Sequence, residues 1–293
     1  MTRIAVAPGF GSSLFGGQGF IADTSGDLDT PIREKAFTFI TLGEAGAGLT
    51  GGSRASAMTT LKAALDDARA YPARYIATSE GDALKRLDAQ AFNAAARGQQ
   101  LILVQAHRAS DLNAVMDLAE EQPNLKFVIV GADEAWRVAP RLARLDIPVI
   151  VDAFSNLPSS FERLAATSEN AARLAEAGVT FAIANVGDSA QQARLATQIA
   201  GNAVANGLDH DDAFAALTVT PASIFSMTGY GNLSPGAHAD IVAWDGDPLE
   251  VTSGPVAVLI DGETQSLESR QTRLRDRYLS LDESERPLAY RKP

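Results

Sequence analysis

The chain has 293 residues, of which 46% are hydrophobic and 21% charged, an ordinary composition for a globular protein with a sizeable core. Its formal charge of −11 argues against nucleic-acid and anionic-membrane partners, and the lack of cysteine excludes disulfides and thiolate metal sites. No apolar run approaches the ~20 residues that span a bilayer. Met1 to Pro8 lacks a signal-peptide pattern, so we expect a cytoplasmic location, or a periplasmic one if a segment precedes Met1.

The first hundred residues alternate between apolar runs and glycine-rich stretches. Ile4 to Pro8 predicts a short buried strand, and residues 9–19 predict a glycine-rich loop. Phe37 to Leu42 predicts another strand, which a second glycine-rich loop over 43–53 follows. Apolar residues spaced three and four apart then predict a helix over 54–71, and a further helix is expected over 82–97.

From residue 101 the pattern becomes regular. Strands are predicted over 101–106, 127–131, 148–153 and 180–184, and helices over 111–120, 134–144, 170–176 and 189–206. Each strand is an unbroken apolar run, which is typical of a parallel sheet buried on both faces. Together with the earlier strands, this predicts most of a (β/α)8 TIM-type barrel. A doubly wound sheet is the alternative, although no G-x-G-x-x-G follows a strand.

The last third of the chain changes character. Two short helices are expected, one capped by Asp209 and one by Thr220 with Pro221 at its first position. After Gly229 the sequence is rich in turns, with strands over 241–244 and 256–260. We therefore predict a barrel over 1–228, a β-sandwich portion over 229–265, and a surface helix with a frayed tail over 266–293.

Residues 215–263 carry a family resemblance. The segments "AALTVTPASIFSM", "GNLSPGAHADIVAWDGDPLE" and "VLIDGE" resemble the amidohydrolase superfamily, particularly its imidazolonepropionase-like branch. Upstream, "LILVQAHRASDL" resembles the family's fifth barrel strand, which ends in a metal-binding histidine. The resemblance implies a barrel with its site at the carboxyl ends of the strands and a small β-sandwich. It also implies a divalent metal, zinc above all, that activates water against a C–N bond of cyclic or dipeptide-like amides.

Several ligands that the resemblance implies are missing from this sequence. Its three histidines are His107, His210 and His238, and none forms the His-x-His pair of the family's first strand. Val130 and Gly131 stand where the strand-six histidine should fall, and Asn185 or Val186 stands in place of the strand-eight aspartate. We therefore expect an incomplete barrel that lacks its first strand, with "TRIAVAP" as the family's second strand, and a degenerate or truncated metal site.

Five residues are candidates for the site. His107 is the candidate metal ligand, and the alternative is a strand-end histidine that only hydrogen-bonds its neighbours. Asp188 could be a shifted ligand or a base, but its spacing to Gln191 also fits a capping box. Asp152 and Glu44 each follow a strand and could act as a base or contact the substrate; the alternative is a solvated loop carboxylate.

Arg108, the fifth candidate, could clamp a substrate carboxylate, or it could pair with Asp111 or Asp133. His210 and His238 lie in solvated segments, where we expect no catalytic role. The pattern leaves two functions open. One is a metal-dependent hydrolase of a small-molecule amide. The other is a non-catalytic barrel that binds a small molecule or pairs with an active paralogue. A homo-oligomer also remains open.

Overall fold

A computed structural model of the chain describes residues 1–9, 11–26, 31–155, 157–186 and 190–279. Within these ranges seven strands form one sheet, and their order in the sheet is their order in the chain. The strands are β1 (Arg3–Val6), β2 (Phe15–Asp23), β3 (Arg33–Thr41), β4 (Leu101–Ala106), β5 (Lys126–Gly131), β6 (Val149–Val151) and β7 (Phe181–Ile183). From β3 to β7 neighbouring strands pair in parallel, whereas β1 with β2 and β2 with β3 pair antiparallel.

The helices that connect the parallel strands pack on one face of the sheet. The helices of the chain are α1 (Gly43–Leu49), α2 (Arg54–Arg69), α3 (Arg86–Ala96), α4 (Ala109–Glu121), α5 (Ala139–Arg144), α6 (Asn170–Glu176), α7 (Ala196–Ala205), α8 (His210–Ala215), α9 (Val219–Ile224) and α10 (Arg270–Leu279). Helices α7 to α10 come after the last strand of the sheet. None of the helices in the described ranges combines the length and apolar character that crossing a bilayer requires.

The sheet is curled, and its concave face carries a separate apolar cluster. Phe37, Leu103, Val128 and Ile150 belong to this cluster, and Phe225 at the end of α9 packs on it. The rings of Phe37 and Phe225 lie 5.6 Å apart between centroids. A curled sheet with helices outside and apolar side chains inside is the architecture of an incomplete TIM-type barrel, as the strand–helix alternation predicted.

The prediction of a loop over residues 9–19 was wrong, because β2 begins within it. Gly19 in β2 pairs with Phe37 in β3, and a Cβ at Gly19 would lie 2.2 Å from the Phe37 ring. Glycine is therefore needed there to let the aromatic ring cross the strand. The loop predicted over 43–53 was also wrong in part, because residues 43–49 form α1, whose small residues Gly46 and Ala47 are buried.

Of the two helix caps predicted near the end of the barrel, one is present in the structure. Asp209 caps α8, since its carboxylate accepts a hydrogen bond of 2.8 Å from the backbone N–H of Asp211. The next helix begins at Val219, so Thr220 lies inside α9 rather than capping it.

A three-stranded antiparallel sheet follows the barrel, with β9 (Pro255–Ile260) between β8 (Ile241–Trp244) and β10 (Glu263–Thr264). Arg3 of β1 joins it to the barrel sheet. Its guanidinium pairs with Asp23 at 3.4 Å and with Asp240 and Asp261, each at 2.6 Å. The β-sandwich expected for this region remains a prediction.

Candidate active site

His107 faces the concave side of the curled sheet. In β4 the side chains of Ile102, Val104 and Ala106 pack toward the helices, whereas Leu103 packs in the concave cluster. Because successive side chains of a strand alternate between faces, the residue after Ala106 points to the concave side. His107 therefore occupies the carboxyl end of a barrel strand, the position where the sequence placed a ligand.

A buried carboxylate holds the His107 ring. The Nδ1 atom of His107 is hydrogen-bonded to Oδ2 of Asp133, whose side chain is 2% exposed. Arg163 reaches the same carboxylate oxygen with its Nε at 3.5 Å. The Nε2 atom of His107 has no hydrogen-bond partner within the described part of the chain, and the side chain is 14% exposed. One ring nitrogen is thus fixed by Asp133, and the other remains available.

An unusual backbone turn at the end of β5 brings Asp133 to His107. Gly131 has φ of +96° and Ala132 has φ of +51°, although Ala132 carries a side chain and is fully buried. The Ala132 N–H donates to the carbonyl of Ala106 at 2.8 Å, which ties the turn to β4. Backbone in this region costs on the order of 1–3 kcal/mol and is often found where function requires a fixed geometry.

Glu134 anchors the loops around the pair, and it was not predicted from the sequence. Its side chain is buried, and its two oxygens accept backbone N–H groups of Ala109 at 3.0 Å and Ala165 at 2.9 Å. Its own N–H donates to the His107 carbonyl at 3.0 Å. Two adjacent acidic residues that follow an apolar strand after one alanine were the signal that could have found Asp133 and Glu134 together.

The other acidic candidates have different surroundings. Asp152, at the end of β6, accepts backbone N–H groups of Phe154 at 2.9 Å and Val186 at 3.4 Å, so its carboxylate supports two loops. Asn185 follows β7, and its buried Oδ1 has no hydrogen-bond partner in the described residues. Asp188 lies outside the described residues, and its role stays a prediction.

Arg108 forms neither of the two ion pairs that the sequence left open, with Asp111 or with Asp133. Asp111 pairs with Nε of Arg54 at 2.9 Å, and Asp133 is engaged by His107 and Arg163. Arg108 instead lines an open depression of about 500 Å³. This depression is lined by Glu44, Ala47, Gly48, Gly52, Ser53, Arg54, Arg108 and Phe161. The two residues predicted to contact the substrate therefore share one hollow, and His107 is not among its lining residues.

The remaining histidines lie on the surface, as the solvated segments around them predicted. Nε2 of His210 pairs with Asp247 at 2.9 Å, and Nδ1 of His238 pairs with Asp261 at 3.1 Å. The His238 ring also stacks on Tyr230, with 4.0 Å between centroids. Both side chains are about half exposed, and neither lies at a strand end of the barrel.

The described residues do not make a complete site for the divalent metal that the resemblance implies. A catalytic zinc takes about three protein ligands and keeps one position open. The described ranges contain no group of three or more histidines and carboxylates placed to hold a metal ion. His107 offers one nitrogen, and its partner Asp133 is already bound to the other nitrogen and to Arg163.

Comparisons with known sequences find relatives of the chain. The model of the amidohydrolase family matches residues 104–269, which is more than half of the chain. Amidohydrolase tasK from Hapsidospora irregularis is 30% identical over 185 residues, 61% of this chain and 19% of that protein, so the chain spans about a fifth of this relative's length.

Among solved structures, an amidohydrolase from Thermotoga maritima MSB8 superposes with a TM-score of 0.79. The superposition covers 92% of this chain and 72% of that chain at 24% identity, which supports the fold. The family match includes His107, the turn that carries Asp133, and the segment after β7. The chain belongs to the amidohydrolase family.

Proposed function

We propose that the chain is a hydrolase of C–N bonds in which His107 is the catalytic imidazole. The observation that carries this proposal is the pairing of His107 with a buried carboxylate at the carboxyl end of a barrel strand. Asp133 accepts a hydrogen bond from the Nδ1–H, which places the lone pair of the neutral ring on Nε2. A histidine held in this way can take a proton from water or donate its nitrogen to a metal.

The chemistry of the protein groups follows from that tautomer. Nε2 removes a proton from a water molecule as the water oxygen forms a bond to the amide carbonyl carbon. The same proton then passes to the amide nitrogen as the C–N bond breaks, which regenerates the neutral imidazole. Asp133 stabilises the transient imidazolium and stays ionised, and Arg163 supports the carboxylate from its other side.

Three finer parts of the proposal extend the family assignment. The segment 215–263 supports the imidazolonepropionase-like branch, and hence cyclic or dipeptide-like amides as substrates. Metal dependence, with zinc as the expected ion, stays a prediction because the described residues contain no group of three or more histidines and carboxylates placed to hold a metal ion. Asp152 is proposed as a further carboxylate on the concave side, since it follows Val151 by one residue at the end of β6.

A second candidate function is a non-catalytic barrel that binds a small molecule or pairs with an active paralogue. The observation that favours it is the chemistry of the neighbouring strand ends. Gly131 ends β5 and Asn185 follows β7, so the positions where family ligands were expected carry no carboxylate or imidazole. A protein of this kind would keep the fold and lose hydrolysis.

The test is a hydrolysis screen over cyclic amides and dipeptides, run with and without added zinc and combined with metal analysis of the purified chain. We expect wild-type activity to fall at least ~100-fold in His107→Ala, the order of a general-base contribution. His238→Ala is the matched control and should retain activity. Equal activity in wild type and His107→Ala would overturn the role of His107. A folded wild type that hydrolyses no compound would favour the non-catalytic candidate.

A further inference from the structure

Arg108 is a half-buried cation without a carboxylate partner in the described part of the chain. Other arginines near it are paired: Arg54 with Asp111 and Glu162, and Arg163 with Asp133. A guanidinium held at the edge of a hollow presents a fork of N–H donors that matches a carboxylate. Its free donors therefore indicate an anionic group on a ligand.

Glu44 and Phe161 line the same depression and complement Arg108. The Glu44 side chain is exposed and forms no ion pair within the described ranges, so a carboxylate and a guanidinium share the hollow without neutralising each other. Phe161 adds an aromatic ring that is 78% exposed. A large exposed ring beside two unpaired opposite charges is a combination that a ligand with both charges and an apolar body would cover.

Two exposed glycines that line the depression leave room for such a ligand. A Cβ added at Gly48 or at Gly52 would meet no protein atom within 4 Å, so both glycines border empty space. The volume of about 500 Å³ lies within the range of small-molecule pockets. The hollow is thus large enough for one amino acid.

We propose that this depression binds a zwitterionic α-amino acid with an apolar side chain. The ligand carboxylate binds Arg108, its ammonium binds Glu44, and its side chain packs on Phe161. Arg108 directly follows His107, and the short helical turn over Phe161–Arg163 contributes Phe161 to the depression and Arg163 to Asp133. The histidine pair does not line this depression, and binding of the ligand there does not require hydrolysis.

The test is calorimetric titration of the purified chain with L-phenylalanine. We compare it with 3-phenylpropanoate, which lacks the ammonium, and with 2-phenylethylamine, which lacks the carboxylate. Wild type should bind phenylalanine at least ~10-fold more tightly than either analogue, because each lost charge-assisted contact costs about that factor. Arg108→Gln should weaken phenylalanine binding by a similar factor, and Glu44→Gln should do the same.

Two exposed residues outside the depression give matched controls. Arg86→Gln and Glu176→Gln remove the same charges elsewhere and should leave binding unchanged. Gly48→Leu narrows the depression without changing charge and should abolish binding. Wild type that does not bind phenylalanine would overturn the proposal, as would equal weakening by Arg108→Gln and Arg86→Gln. His107→Ala should bind phenylalanine normally, which separates this site from the proposed hydrolysis.

Discussion

The imidazole ring of His107 occupies the space into which a side chain at Gly131 would project. A Cβ at position 131 would lie 2.5 Å from Cε1 of His107 and 2.7 Å from its Nδ1. From the sequence, Gly131 was one of two residues at the position of a lost family ligand. In the structure it is the residue that makes room for the one histidine at the site and, with φ of +96°, turns the chain so that Asp133 can reach the ring.

Gly131→Ala should therefore destabilise the protein more than backbone strain alone explains. A left-handed alanine costs about 1–2 kcal/mol, and crowding a packed site adds about 1–3 kcal/mol. Urea unfolding measures the loss of unfolding free energy in the variant. Gly178→Ala is the control, because Gly178 has φ of +72° but no atom within 4 Å of an added Cβ. Equal losses in the two variants would show that His107 does not press on position 131.

Glu134→Gln should also destabilise the protein, although it preserves the size of the side chain. The two carboxylate oxygens of Glu134 each accept a backbone N–H, from Ala109 and from Ala165. An amide offers one oxygen, so its NH₂ group would face the other N–H and leave a buried donor unsatisfied. The expected loss of unfolding free energy is about 1–3 kcal/mol.

Denaturant unfolding of Glu134→Gln, compared with that of Glu176→Gln, measures the cost of the unsatisfied N–H. Glu176 is exposed on α6, so its amide variant should stay within ~0.5 kcal/mol of wild type. If both variants unfold as wild type does, Glu134 does not fasten the loops after β4 and β6.

The regular part of the fold could be predicted from the sequence because each element is decided locally. The apolar runs of β4 and β5 and the spacing in α2 reflect burial on a sheet face or a helix stripe. Helix α6 begins and ends at the predicted residues, Asn170 and Glu176. The antiparallel strand β2 could not be predicted, because Gly19 is explained by Phe37, a residue on another strand.

The candidate site could be predicted from the sequence at one residue only. His107 stood out because it ends an apolar strand. Asp133 was considered only as a partner for Arg108, since the left-handed turn that redirects it to His107 depends on contacts between β4 and β5. Arg163 comes from a loop after β6 and has no pattern in the sequence that relates it to either residue.

Acid should weaken the junction between the barrel sheet and the C-terminal sheet. The hydrogen bond from Arg3 holds the pKa of Asp261 below its ordinary value; burial opposes this shift, and His238 adds to it. A carboxylate with a depressed pKa in the folded state stabilises the protein above its unfolded pKa of about 4. That contribution disappears as the pH falls through the lower, folded-state pKa.

Unfolding free energies of wild type and Asp261→Asn at pH 7 and pH 3 measure this contribution. Asparagine tolerates the left-handed backbone at this position, where φ is +49°. The variant should lose less stability on acidification, by roughly 0.2–1 kcal/mol because the side chain is half exposed and screened. Asp212→Asn, a change on an exposed carboxylate of α8, should lose the same unfolding free energy as wild type between pH 7 and pH 3. If Asp261→Asn and wild type lose the same unfolding free energy between pH 7 and pH 3, the ion pair of Arg3 with Asp261 does not cause the loss.

Asp133 and Arg163 should be energetically coupled, because Asp133 has two basic partners and is almost fully buried. Asp133→Asn weakens the acceptor for both His107 and Arg163, and we expect it to cost about 1–3 kcal/mol. Arg163→Met should cost less, since this arginine is 30% exposed and keeps no other charged partner in the described ranges. In the double variant the second change should cost less than it does alone.

A double-mutant cycle from denaturant unfolding gives this coupling energy, which we expect to be about 0.5–3 kcal/mol. Arg141→Met combined with Asp133→Asn provides the comparison, because Arg141 pairs with Asp117 and Glu120 rather than with the site. Additive losses in the first pair would mean that Arg163 does not sense the Asp133 charge. The loop after β6 would then contribute Phe161 to the depression but would not stabilise the histidine pair. Coupling would instead mean that the Arg163 charge stabilises the buried carboxylate that orients His107.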